Sequence, residues 1–215
     1  PRTIQSDVFE NLGYPFTSIY VNNTPDNFQM ALEAAKKFID DSNLSILNIN
    51  AWNEWTEGTY LEPDLINKYD YSTYLEIGCD KNQSFSKIKI SHKVGVDPIS
   101  GGTIRKTSNE FFKYNKEKFD IIFIDGLHIY EQVMKDILNS IKILNQNGII
   151  LIHDCLPRKL WYQTPTRMSD TWNGDVWKAI VECRTLENID TYTCLADEGI
   201  GVIKVQKNNN QLNLN

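Results

Sequence analysis

An open α/β fold with a mostly parallel sheet is predicted for most of this 215-residue chain by three observations. Beyond about position 70, short apolar runs alternate with amphipathic segments. Tyr74-Leu75-Glu76-Ile77-Gly78-Cys79 enters a glycine turn, and Val94-Gly95-Val96-Asp97 then ends in an aspartate 21 positions after Glu76. Such a sheet holds a nucleoside: the glycine lets backbone approach the ligand, and the acid accepts from ribose hydroxyls. The last two apolar runs are joined only by Ala196-Asp197-Glu198, too short for a crossover helix, so they must pair antiparallel.

In chain order, the first expected elements are a helix over Pro25–Asp40 and a strand over Leu44–Ile49, followed by Trp52-Asn53-Glu54-Trp55-Thr56-Glu57-Gly58. One helix and one strand cannot bury a core of their own, so this part must lean on the rest, on another chain, or else be a remnant. Strands are then expected at Thr73–Gly78, Lys93–Asp97, Phe119–Asp125 and Gly148–His153, with a weak one near Thr103–Lys106. Ile121-Ile122-Phe123-Ile124 and Ile149-Ile150-Leu151-Ile152 are apolar throughout, as strands covered by helices on both faces should be. Val133, Ile137, Leu138, Ile141 and Leu144 recur at helical spacing, and Gly148 is the stop signal. Asp175 is a good N-cap for a helix through Trp177, expected in the core, and Ile180. Asp190–Leu195 and Gly199–Val205 close the sheet. The expected domains are 1–68, 69–206 and a disordered tail at 207–215.

Composition narrows the function. A net charge of −6 and a pI near 5.1 argue against nucleic acid as a partner. No run reaches the roughly 18 apolar residues of a membrane span. Cys79, Cys155, Cys183 and Cys194 show no metal-binding spacing, so free thiols in a reducing cytoplasm are expected. Because the chain starts at Pro1, it is expected to be a piece of something longer.

Four strand ends carry small or acidic groups: Gly78, Asp97, Asp125 and Asp154. Ligands of open α/β sheets sit beyond such ends. A dinucleotide needs a glycine-rich pyrophosphate cradle, but Cys79-Asp80-Lys81-Asn82-Gln83-Ser84 has no glycine and puts an acid where the phosphates would lie. A sulfonium donor, cationic and phosphate-free, suits this loop better.

Residues 73–205 resemble a class I S-adenosylmethionine-dependent methyltransferase with a Rossmann-like sheet and an antiparallel last strand. Glu76-Ile77-Gly78 is similar to that family's first motif and Asp97 to its ribose-binding acid. Phe123-Ile124-Asp125-Gly126-Leu127-His128-Ile129-Tyr130 with Asp136, Leu151-Ile152-His153-Asp154 and, more loosely, Asp175-Val176-Trp177-Lys178-Ala179 match further motifs. The resemblance implies cofactor contacts from Glu76, Gly78, Cys79, Ser84, Asp97, Ser108 and Asp125. Cys79 and Lys81 stand where the family has small residues, and Thr107, ahead of Ser108, replaces its adenine-side acid. His128 or His153, with Asp125, would handle the acceptor proton. In a second reading Asp125 and Asp154 bind Mg²⁺, although Cys155 occupies the usual third-ligand position. The loop 156–174, with Trp161, Tyr162 and Trp172, suits a lid or acceptor site.

Glu54 and Glu57 beside Trp52 and Trp55 are the groups that glycosidic-bond chemistry uses. Ile49–Asp64 resembles the last motif of the glycosyltransferase and endo-mannanase-like barrels of O-antigen-type synthesis, over about residues 1–66. Such a barrel needs roughly 250 residues, so no glycosyl activity is expected. The leading expectation is O-methylation of a saccharide or other small hydroxylated acceptor. A catalytically weak scaffold module and an NAD-linked oxidoreductase are the alternatives.

Overall fold

The computed structural model describes residues 70–195, 198–209 and 211–213, together with Thr3–Ile4, Ile19–Tyr20 and Lys37. The chain divides into two units, Pro1–Leu47 and Asn48–Asn215. In the first, β1 (Thr3–Ile4) and β2 (Ile19–Tyr20) pair antiparallel, with Thr3 opposite Tyr20, and Lys37 is helical. The rest of the expected helix at Pro25–Asp40, the strand Leu44–Ile49 and the glutamate pair Glu54 and Glu57 lie outside the described residues.

The second unit is a six-stranded sheet in the order β4-β3-β5-β6-β8-β7. Its strands are β3 (Thr73–Ile77), β4 (His92–Val96), β5 (Phe119–Ile124), β6 (Leu144–Ile152), β7 (Asp190–Cys194) and β8 (Ile200–Lys204). β4, β3, β5 and β6 run parallel; β8 lies antiparallel between β6 and β7. This is the mostly parallel, Rossmann-like arrangement with an antiparallel end that the sequence predicts. The weak strand near Thr103–Lys106 reduces to one parallel bridge, Val96 to Ile104.

The helices are α1 (Ser108–Tyr114), α2 (Tyr130–Ile143) and α3 (Trp177–Cys183). Their apolar residues join Leu75, Ile77, Ile122, Ile124, Ile150 and Ile152 in one core. The opposite face holds Tyr74, Ile121, Phe123, Ile149 and Leu151, and among the described residues Cys79, Phe85, Ile88, Ile90 and Tyr71 pack there instead of a helix. The apolar strands are therefore buried on both sides as expected, while the described helices cover one side only.

Two helix details depart from the sequence reading. Asp175 does not cap its own helix; its Oδ1 accepts from the Tyr130 amide at 2.7 Å, and Oδ2 accepts from Lys178 Nζ at 2.8 Å. Ile129, at the head of α2, has no side-chain acceptor to offer, so Asp175 supplies it. Trp177 is only half-buried. The segment expected as a disordered tail is anchored at Asn208, whose amide donates to Glu187 O at 2.7 Å and whose Nδ2 reaches Arg184 O and Leu186 O, both at 3.0 Å. Leu212 N adds a bond to Arg184 O.

On α2, Leu138 is exposed, whereas Asp136 and Ser140 are buried. Positions 133, 136, 137 and 140 share the inner face at helical spacing. Burial pushes the Asp136 carboxyl up to about 6, against the lowering effect of Ser108, Gln132 and Lys135. A raised carboxyl pKa adds stability that is complete below its unfolded value of about 4 and is lost as pH climbs through about 6. Asp136→Asn is therefore expected to raise stability at pH 8 by roughly 1–3 kcal/mol, with the gain gone at pH 4. Urea unfolding at the two pH values checks it; equal effects at both would refute the buried-charge explanation.

Candidate active site

The carboxyl ends of β3, β4, β5 and β6 meet along one edge of the sheet, and each end is shaped by its neighbours. Gly78 follows β3 with φ +88°, and a Cβ there would lie 2.1 Å from Asp125 O and 2.6 Å from Gly126 Cα. Close approach of the β5 turn thus demands glycine. Glu76 is buried within the sheet and accepts from Tyr74 Oη at 2.6 Å. Burial, reinforced by the Asp125 charge, raises its carboxyl to about 7 despite the Tyr74 hydrogen bond. Cys79 is also buried, its thiol pushed upward by desolvation. Ser84 is half-buried in the turns after it, its carbonyl accepting from Lys87 N.

Asp97 is bonded to backbone amides through both carboxylate oxygens. Oδ2 accepts from the Cys79 and Asp80 amides, each at 3.0 Å, and Oδ1 from Ile99 and Ser100, each at 2.8 Å. Burial works to raise this carboxyl, but the four amides outweigh it and hold the group below its ordinary range. Four donors occupy the roughly four lone-pair sites of a carboxylate. In this structure Asp97 fastens the turn after β3 to the turn after β4.

Ser108 lies at the start of α1. Its Oγ accepts from Gln132 Nε2 at 3.1 Å, in the α1–α2 contact beside Asp136. Thr107, which stands where the resembled family has an acid, is the N-cap of α1 in a reciprocal capping box with Glu110.

The remaining predicted residues converge. Asp125 Oδ1 lies 3.4 Å from His128 Nε2 and 3.2 Å from His153 Nδ1. Asp154, buried and held at φ +62°, places Oδ2 3.1 Å from His128 Nδ1 and Oδ1 3.4 Å from His153 Nδ1. Burial opposes charge on Asp125, yet His153 and His128 outweigh it and hold the carboxyl down at about 2. Burial also opposes a proton on His128, but Asp125, Asp154 and the Trp172 carbonyl reverse the balance and raise its pKa.

The loop 156–174 supplies what sequence reasoning missed. Trp172 stacks on His128 with centroids 5.3 Å apart, and its carbonyl oxygen lies 3.0 Å from His128 Nδ1. Asn173, fully buried, donates Nδ2 to Asp154 Oδ1 at 2.6 Å. The Asn173 and Gly174 amides both donate to Tyr162 O, and a Cβ at Gly174 (φ +59°) would lie 1.7 Å from His128 O. In sequence, Asn173 and Gly174 are only the end of the loop 156–174.

A family model described as "Methyltransferase domain" matches residues 28–155. The chain belongs to this family. Its sheet is similar to that of SAH-bound PaMTH1 from Podospora anserina, at 16% identity over 89% of this chain and 100% of that one, with a TM-score of 0.50. It is similar too to the SAH-bound O-methyltransferase of Bacillus cereus (14% identity, 82% and 91% covered, TM-score 0.51). Cofactor-bound Rv0187 from MTB gives 16% identity, 87% and 93% covered, and a TM-score of 0.55. No curated protein matches the chain. The protein is an S-adenosylmethionine-dependent methyltransferase, and the dinucleotide oxidoreductase alternative is set aside.

In this methyltransferase the third Mg²⁺ position is not usable. Cys155 is buried, its thiol donates to Ile152 O at 3.3 Å, and burial raises it to about 12. The donor set around Asp125 and Asp154 is completed by imidazole, which a hard, oxygen-seeking ion does not favour. Among the described residues no helix is long and apolar enough to cross a membrane.

Proposed function

We propose that this methyltransferase moves the methyl group of S-adenosylmethionine to a hydroxyl of a saccharide or other small hydroxylated acceptor during polysaccharide assembly. The observation that carries the proposal is the convergence of Asp125, His128, His153 and Asp154 at the ends of β5 and β6. Methyl transfer is an in-line displacement. The acceptor oxygen bonds to the methyl carbon, the carbon–sulfur bond breaks with its electrons going to sulfur, and the hydroxyl proton must leave. An imidazole anchored by Asp125 takes that proton. The cationic sulfonium is served by the acidic ends of the sheet.

The saccharide reading is supported by Glu54, Glu57, Trp52 and Trp55 in a segment resembling polysaccharide-building barrels. Trp161, 55% exposed in the loop beside Tyr162, offers an aromatic face to a sugar ring. Four buried, unpaired cysteines suit a reducing cytoplasm. We infer domains at 1–68 and 69–206, the first a partial glycosyltransferase- or glycosidase-like segment.

A second reading, a weakly catalytic binding module, is favoured by one observation: Asp97 spends its carboxylate on four backbone amides. Labelled S-adenosylmethionine, offered with sugar nucleotides, oligosaccharides, catechols and amino acids, separates the readings. Label on a sugar hydroxyl is the expected result. Label only on catechols or amino acids overturns the saccharide assignment, and no transfer to any acceptor favours the binding module.

A further inference from the structure

We infer that a basic strip beside β4, the outer strand of the sheet, docks this methyltransferase on an anionic phospholipid surface. Residues 81–118 hold nine Lys and Arg against three Asp and Glu, whereas the whole chain holds 22 against 28. The acidic net charge therefore hides a strong local excess of cations.

The three acids of this stretch are spent inside the fold. Asp97 takes four backbone amides, Glu110 takes the amide and hydroxyl of Thr107, and Glu117 meets His92 at 2.6 Å. Two cations are spent likewise. Lys93 donates to Phe85 O and Ile88 O, and Arg105 donates to Asp97 O and Gly101 O. Lys89, Lys106, Lys113, Lys116 and Lys118 are exposed, and among the described residues none of them is in an ion pair. Lys106 and Lys113 both set an ammonium over the Tyr114 ring, at 5.5 and 5.3 Å. The His92–Glu117 contact holds the segment carrying Lys116 and Lys118 against the start of β4, so the strip is continuous.

Its chemistry favours lipid headgroups over nucleic acid. Arg105 is the one arginine of the stretch and its guanidinium is occupied, which leaves lysine point charges and no fork for bidentate phosphate contacts. Tyr114 is 65% exposed, but it carries two ammonium groups over its ring instead of a bare face on which a base could stack. Lysines on flexible stems around an amphipathic tyrosine match an anionic headgroup layer. The chain lies on such a surface and does not cross it.

The test sediments the 215-residue chain with vesicles of phosphatidylcholine, alone or with about one third phosphatidylglycerol. Binding is expected on the anionic vesicles only. Raising salt from about 0.05 to 0.5 M should release it, because screening shortens the reach of exposed charges. Lys113→Gln, Lys116→Gln and Lys118→Gln together should weaken binding roughly 30–100-fold, each lysine near such a surface contributing about fivefold. Lys135→Gln, Lys142→Gln and Lys207→Gln remove the same charge elsewhere and should weaken it less than about fivefold. Absence of binding to anionic vesicles at low salt overturns the inference. So does equal binding to neutral vesicles, an equal loss in the two triple variants, or displacement from the vesicles by RNA at equal phosphate concentration.

Discussion

Replacing Asp125 by asparagine is expected to lower kcat for methyl transfer by roughly 10²–10⁴-fold, with binding of S-adenosylmethionine little changed. One oxygen of this carboxylate serves both imidazoles, at 3.4 Å to His128 and 3.2 Å to His153. With its pKa held at about 2 it is ionised throughout any practical assay range. Asparagine keeps the volume and removes the charge, so both rings lose the anion that orients them, and His128 loses a partner that raises its pKa. Single-turnover rates and a calorimetric titration with the cofactor check the split. An equal loss in cofactor binding would show that Asp125 serves the nucleoside; an unchanged rate would remove the whole cluster from the chemistry.

The sheet was legible because its strands are short, apolar and separated by turn signals, and because the five residues between β7 and β8 are too few for a crossover and permit only antiparallel pairing. The cluster was legible for a related reason: Asp125, His128, His153 and Asp154 all stand at or just past strand ends, where the fold itself brings them together. Roles decided by side-chain direction were not legible. Asp97 stands at the strand end the family pattern marks, but Pro98 through Ser100 turn back so that Ile99 N and Ser100 N both donate to its Oδ1. Ser108 points into a helix contact that depends on the buried Asp136. Asp175 caps a helix 45 residues upstream, a long-range bond that no local capping rule encodes. Asn173 carried no periodic signal at all; only the folded loop puts its amide against Asp154.

Gly78→Ala is expected to destabilise the methyltransferase by roughly 3 kcal/mol or more, a loss large enough to threaten folding at 37 °C. Two penalties combine. The residue sits at φ +88°, where an L side chain is strained by about 1–2 kcal/mol. The added carbon would also lie 2.1 Å from Asp125 O and 2.5 Å from Asp125 C, and neither atom belongs to a flexible side chain that could swing aside. Relief requires the turns after β3 and β5 to separate, which displaces Asp125 from the two histidines and couples the stability loss to catalysis. Gly126→Ala is the matched control, because its Cβ would find only Ile77 Cγ2 at 3.4 Å and no atom nearer. Chemical denaturation of both variants decides the matter. If Gly78→Ala unfolds at the same denaturant concentration as Gly126→Ala, the close approach of the two strand ends does not hold this edge of the sheet, and the glycine answers to the cofactor alone.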